Sequence, residues 1–291
     1  MPTRTPWLVT QHADSSAERR IVALPHAGGS ASFFRPWRRE LPAGFELQAV
    51  QYPGREHRLG EPLIPDMASM AGAVADALAD EADRETILFG HSMGAAIGVE
   101  AVRLLEAAGD SPVTRLCVSG RLPLGSPHPP PARARTDEEL VSSMTALGGT
   151  HPEVLADPDL RAMLLDIARN DYLLIDSYRA PRDAPPLTVG LVALTGDGDR
   201  EVPVHRVREW AAVTRGPFHA RVFSGGHFYL TGHVPEVLAA VTADIGEHEK
   251  DASRSARQLF NPPGKELDHT TRHEEPEIIT MPPRRAEVDA P

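Results

Sequence analysis

A serine, a carboxylate and a histidine occur along this chain at places from which they could carry out nucleophilic acyl transfer. Residues 86–98 read Thr-Ile-Leu-Phe-Gly-His-Ser-Met-Gly-Ala-Ala-Ile-Gly: a short apolar run, the pattern G-x-S-x-G, then an alanine-rich stretch. In such a strand-turn-helix, Ser92 sits on a sharp turn that exposes its Oγ. Gly90 and Gly94 are needed there because a side chain at either would collide with the neighbouring strand or helix. Met93 then contributes a first-turn helix N–H with no intrahelical acceptor, placed where a carbonyl oxygen would become an oxyanion. The alternative is a structural turn whose serine only caps the helix.

A serine hydroxyl is a weak nucleophile at neutral pH and needs a base to take its proton and a carboxylate to orient that base. Asp199, in Gly196-Asp197-Gly198-Asp199, follows an apolar run, Val189 to Thr195. Asp197 shares the loop and is the alternative, and Asp199 has a second possible role as cap of the helix signalled by Pro203. His227 follows Gly225-Gly226 after the run Ala220 to Phe223, so it would open at the same sheet edge. The order serine, acid, histidine is one of the known arrangements. His205, His219 and His233 read as structural or solvated. The second oxyanion donor is expected from His26-Ala27-Gly28-Gly29, with Ala27 N–H as the choice and His26 packed under the loop or of minor functional weight.

These residues require a parallel sheet with its loops gathered at one edge. Strands are expected at Ile21–Leu24, Leu47–Gln51, Thr86–Phe89, Arg115–Ser119, Val189–Thr195 and Ala220–Phe223. Helices are expected near Phe33–Glu40, Met67–Ala82, Ala95–Ala108, Val204–Val213 and Pro235–Ile245. Ligands bind at the carboxyl ends of such strands. Residues 122–186 interrupt the alternation with ten of the 28 prolines and with helical spacing at Leu140, Val141, Met144 and Leu147 and at Leu160, Met163, Leu164 and Ile167, as a helical lid or a plain helical hairpin would. Residues 1–19 read as a polar lead and 247–291 as a disordered polar tail, with His248, His269 and His273 solvated.

Composition narrows the possibilities. The chain has 291 residues, 41% of them hydrophobic, and a formal net charge of -11, which argues against nucleic-acid binding. No segment reads as a signal peptide or membrane span, and a cytoplasmic location is expected. The single cysteine, Cys117, reads as a small buried apolar residue. The 13 histidines show neither C-x-x-C nor H-E-x-x-H spacing, so no metal is expected.

With these residues in place the chain resembles the type II thioesterases, free-standing α/β-hydrolases that serve polyketide and nonribosomal peptide assembly lines. The resemblance covers residues 20–246 and rests on Leu24-Pro25-His26-Ala27-Gly28-Gly29, Gln51-Tyr52-Pro53-Gly54-Arg55, Gly90-His91-Ser92-Met93-Gly94, Ser119-Gly120-Arg121 and Gly225-Gly226-His227-Phe228-Tyr229-Leu230. It implies an α/β-hydrolase fold, with a mostly parallel central sheet flanked by helices and an inserted helical lid. It also implies hydrolysis of acyl thioesters on the phosphopantetheine arm of acyl or peptidyl carrier proteins, with Ser92, Asp199 and His227 as triad and Ala27 and Met93 N–H groups as oxyanion hole. No cofactor is called for, and a monomer is expected. Arg55, Arg58 and Arg35, near the strand-end loops, are candidates for meeting the pantetheine phosphate or an acidic carrier, or are ordinary surface charges. The long tail departs from the family pattern. The competing readings are a carboxylesterase, a chain-terminating thioesterase and a catalytically silent binding module.

Overall fold

The apolar runs are nearly continuous because the sheet they form is covered on both faces. In the computed structural model, which describes residues 6–123, 135–148, 152–181, 183–244 and 277–281, β1 (Leu8–His12), β2 (Arg19–Leu24), β3 (Phe45–Val50), β4 (Glu85–His91), β5 (Val113–Ser119), β6 (Gly190–Gly196), β7 (Phe218–Phe223) and β8 (Glu277–Met281) form one sheet. Its order is β1-β3-β2-β4-β5-β6-β7-β8. The strands β2 to β7 run parallel, and β1 and β8 pair antiparallel at the two edges.

Alternate residues of each central strand feed two cores. Val22 and Leu24 of β2, Leu88 of β4 and Leu191 and Ala193 of β6 pack with α1 (Met67–Asp80) and α2 (Met93–Ala108). Ile21 and Ala23, Ile87 and Phe89, and Val192 and Leu194 face the other way, onto Phe34, Trp37 and the helix Val234–Thr242. Between β5 and β6 the chain forms α3 (Asp137–Leu147), α4 (Pro152–Ala156) and α5 (Pro158–Ser177); Val234–Thr242 is α6. Asp157 caps α5 by accepting the Asp159 and Leu160 N–H groups at 3.0 Å, with Pro158 at the first helical position.

Because β2 lies between β3 and β4, the chain leaves β2 in one direction and returns on its other side. The loops after β2 and β4 therefore diverge and open a crevice at their carboxyl ends. Both G-x-S-x-G and Pro25-His26-Ala27-Gly28-Gly29 lie there.

Two expectations are corrected. Residues 1–19 are not merely a polar lead: Leu8-Val9-Thr10 is a β-forming run that pairs with β3, and Leu8 is buried. The tail is not wholly irregular either. Glu277-Ile278-Ile279-Thr280-Met281, bounded by prolines, extends the sheet beside β7. The rest of 247–291, with His248, His269 and His273, lies outside the described residues, as do 124–134 of the proline-rich stretch. The helices expected near Phe33–Glu40 and Val204–Val213 are present as 3-10 helices, Ala31–Arg39 and Val204–Ala212; in the first, Pro36 lacks the N–H an α-helix would use. Among the described residues no helix is long and apolar enough to cross a membrane.

Candidate active site

The serine turn is built by steric exclusion. Ser92 has φ 54 and ψ -111, a left-handed backbone that a side-chain-bearing residue adopts only when its surroundings enforce it. A Cβ on Gly90 would lie 2.6 Å from the Ala95 Cα and collide with the Gly94 carbonyl, and one on Gly94 would strike the Leu24 carbonyl. Strand β4, the turn and α2 thus close so tightly that only glycine fits on either side of Ser92. The Ser92 N–H donates to the Ser119 carbonyl at 2.8 Å, which leaves the side chain at the crevice, partly exposed among buried neighbours.

Asp199 and His227 meet across the loops after β6 and β7. Nδ1 of His227 lies 2.9 Å from Oδ2 of Asp199, and both residues are buried. A carboxylate can only accept, so the bond puts the proton on Nδ1 and leaves a lone pair on Nε2. Oδ1 of Asp199 accepts the Glu201 N–H at 2.9 Å, so the orienting contact and a local turn coexist in one side chain. Asp197 is exposed and accepts the Gly225 N–H at 2.9 Å, which ties the two loops together without touching the histidine.

His227 packs against His91, the residue before Ser92. The His91 and His227 rings lie 4.9 Å apart, and a Cβ on Gly120, which has φ +60, would come within 2.6 Å of His91 and 3.2 Å of His227. Among the described residues the bond to Asp199 is the hydrogen bond His227 makes. Among the described residues no hydrogen bond joins Ser92 to His227, and catalytic bonds of this kind often tighten only when substrate binds. In turn, His91 Nδ1 bonds Ser119 Oγ at 2.9 Å, and Ser119 Oγ bonds the Tyr229 hydroxyl at 2.7 Å. This buried chain holds His91 in place against His227, their rings tilted by 44°.

His26 is buried under its own loop, edge-on to Phe33 and Phe228 at 4.7 Å each. Burial, with smaller contributions from His227 and Arg55, pushes its pKa down to about 3. Burial, then His227 and His26, likewise holds His91 well below its usual range. Both imidazoles are neutral when folded and take up protons only on unfolding. Stability therefore rises with pH between about 3 and 6.5 and is lost as pH falls through that window, at about 1.4 kcal/mol per pH unit for His26. Urea denaturation at pH 7 and pH 5 should show this loss, and His26→Phe, which keeps the aromatic packing, should flatten the acid slope by about one proton.

The Tyr-Pro-Gly-Arg segment clamps the loop after β2. Tyr52 hydroxyl donates to the Pro25 carbonyl at 3.2 Å, Arg55 Nη1 donates to the Gly29 carbonyl at 2.9 Å, and Gln51 Oε1 accepts the Ala31 N–H at 3.0 Å. Among the described residues neither Ala27 N–H nor Met93 N–H donates to a protein acceptor. Both lie on loops that flank Ser92. An open cleft of about 360 Å³ adjoins the histidine, lined by Leu147 of α3 and by Gly225, Phe228, Tyr229 and His233. Ser92 does not line it.

The family model described as the thioesterase domain matches residues 19–245. The chain belongs to the thioesterase family. The thioesterase is 39% identical over 245 residues to a probable cadicidin biosynthesis thioesterase of Streptomyces griseus, covering 84% of this chain and 66% of that protein. It is 35% identical to thioesterase PikA5 of Streptomyces venezuelae, over 83% of this chain and 85% of that one. The solved type II thioesterase BorB, from the borrelidin biosynthetic cluster, superposes with a TM-score of 0.70 at 36% identity, covering 83% of this chain and 98% of BorB. The fold is that of the α/β-hydrolase thioesterases, and the chain is a serine thioester hydrolase by family.

Two of the three arginines of the thioesterase are not where a docking role requires. Arg55 is buried in a two-pronged ion pair with Asp171, at 2.9 Å on both prongs, and Arg58 is buried over the Trp7 ring, pairing with Glu61 and donating to the Gln51 carbonyl at 2.8 Å. The strand-end turn folds both guanidinium groups inward to bind main-chain carbonyls. Neither is a surface cation. Only Arg35 is exposed, beside Glu56.

The sequence reading of the thioesterase missed Asp171, Tyr52, Ser119 and Tyr229 as parts of the site. Tyr52, Ser119 and Tyr229 lie within the motifs that carry the resemblance, and Asp171 had a signal of its own. It falls on the helical stripe of Ile167, Ala168 and Leu174, all buried, and a carboxylate within an apolar stripe needs a partner.

Proposed function

We propose that the protein hydrolyses acyl thioesters held on the phosphopantetheine arm of acyl or peptidyl carrier proteins and so clears aberrant or stalled units from polyketide or nonribosomal peptide synthesis. The observation that carries this reading is the buried 2.9 Å pair of Asp199 and His227 beside the strained turn at Ser92. Ser92 Oγ attacks the thioester carbonyl as His227 Nε2 takes its proton, while Asp199 holds the ring and stabilises the imidazolium. The oxyanion is met by the Ala27 and Met93 N–H groups. His227 then gives its proton to the departing pantetheine thiol, and a water activated by the same nitrogen hydrolyses the acyl-serine. The enzyme works as a monomer in the cytoplasm, and Arg35 is the exposed cation of the three arginines offered to the carrier or its phosphate.

The test is substrate competition. The kcat/KM for an acyl-phosphopantetheinyl carrier protein should exceed that for the same acyl N-acetylcysteamine thioester by at least about tenfold, since carrier contacts add binding that the small thioester lacks. Carboxylic acid should be the product. A higher kcat/KM for a p-nitrophenyl ester than for the carrier substrate would favour an ordinary esterase, and a lactone product a chain-terminating enzyme.

A further inference from the structure

The pair Arg55–Asp171 joins α5 to the loop that carries the Ala27 N–H. Asp171 is completely buried, and its two oxygens are fully engaged: Oδ2 accepts the Gly28 N–H at 2.8 Å and Arg55 Nη1 at 2.9 Å, and Oδ1 accepts Arg55 Nη2 at 2.9 Å. Arg55 Nη1 passes the restraint on to the Gly29 carbonyl. The loop closes on itself through the Gly29 N–H, which donates to the His26 carbonyl at 2.9 Å. Each bond fixes a different peptide plane. The His26 carbonyl belongs to the same rigid plane as the Ala27 N–H, so holding that carbonyl against Gly29 sets the direction of the donor. The Gly28 N–H, fixed by Asp171, keeps the next plane from rotating it away, and the Gly29 carbonyl, fixed by Arg55, anchors the plane that leaves the loop. Leu164, one further contact from α5, lies 3.6 Å from where a Gly28 Cβ would be.

We infer that Asp171 is a positioning residue for hydrolysis: through Gly28 and Arg55 it holds the loop after β2 in the orientation that aims the Ala27 N–H at the oxyanion. This rests on the proposed role of Ala27 as a donor. A buried ion pair is seldom the most stabilising filling for its space, and apolar side chains of similar volume often serve stability as well or better. What apolar residues cannot do is accept a backbone N–H and bind a carbonyl. The pair therefore separates stability from activity.

The double variant Arg55→Met/Asp171→Leu tests that separation. Its Tm should stay within a few degrees of wild type, while kcat for a short acyl N-acetylcysteamine thioester falls by about 10²-fold, the loss typical of a misplaced oxyanion donor. KM should change less than about threefold, since the donor acts on the transition state. Amide exchange across residues 26–29 should speed up at least tenfold. A double variant with wild-type Tm, kcat and exchange would overturn the inference. Should that variant not fold, Arg55→Lys replaces it: a lysine cannot hold both Asp171 oxygens and the Gly29 carbonyl, so the same drop in kcat at steady KM is expected, and an unchanged kcat refutes the positioning role. If the wild-type protein hydrolyses no thioester, the proposed function has failed, and the exchange rates of residues 26–29 in the variants still decide whether Asp171 sets the loop.

Discussion

Ser92→Ala should lower thioester hydrolysis by on the order of 10⁴-fold or more while leaving Tm within a degree or two of wild type. The loss is large because removing the nucleophile leaves only the oxyanion donors and substrate binding to act on the transition state. Stability should hold because the substitution removes nothing structural. The elbow is enforced by the backbone packing around Gly90 and Gly94 and by the Ser92 N–H bond to Ser119, all of which an alanine retains. A drop in activity accompanied by unfolding would show that the serine hydroxyl is a structural cap.

The second large effect is expected at Asp199. In Asp199→Asn the amide can still accept the Glu201 N–H through its oxygen, but it then presents an NH₂ to His227 Nδ1. The ring must answer with a lone pair on Nδ1, which moves its proton to Nε2 and removes the base that faces Ser92. Catalysis should fall by about 10³- to 10⁴-fold in kcat with KM little changed. Asp197→Asn should stay within about threefold of wild type, since an asparagine oxygen can still accept the Gly225 N–H that Asp197 accepts now. The two positions lie two residues apart in one loop. Steady-state kinetics on both would assign the acid, and the opposite ranking would transfer the role to Asp197.

Much of the scaffold was legible because burial on both faces writes itself as short apolar runs, and the six parallel strands follow those runs to within a few residues. The edge strands were not. Leu8–His12 and Glu277–Met281 each pair with only one neighbour, and their few apolar residues are diluted by the polar sequence around them. Strand ends and glycines were enough to single out Ser92, Asp199 and His227, and Asp199 and His227 do meet. Their support could not be read in this way, because it depends on residues far apart in sequence. Tyr52 reaches Pro25, Ser119 links His91 to Tyr229, and Asp171 grips Gly28 from 143 positions away. Sequence can say that such a group needs a partner, but only the fold says which one it has.

The arginines carry the same lesson in reverse. Charge and proximity to the loops marked Arg55 and Arg58 as docking groups, whereas the turn after β3 folds them under the surface. Taking either partner out of a buried pair such as Arg55–Asp171 typically costs about 3–5 kcal/mol, so a loss of carrier turnover in an Arg55→Glu variant would report on the core and on the oxyanion loop, not on recognition. Arg35 is free of that ambiguity.

The most direct test of the account is to label the enzyme with a serine-directed phosphonate and follow residual thioester hydrolysis alongside peptide mass spectrometry. One adduct per chain is expected, on the peptide that carries Ser92, forming in step with the loss of activity and absent from Ser92→Ala. An adduct on another serine, or full labelling of Ser92 with hydrolysis undiminished, would contradict it.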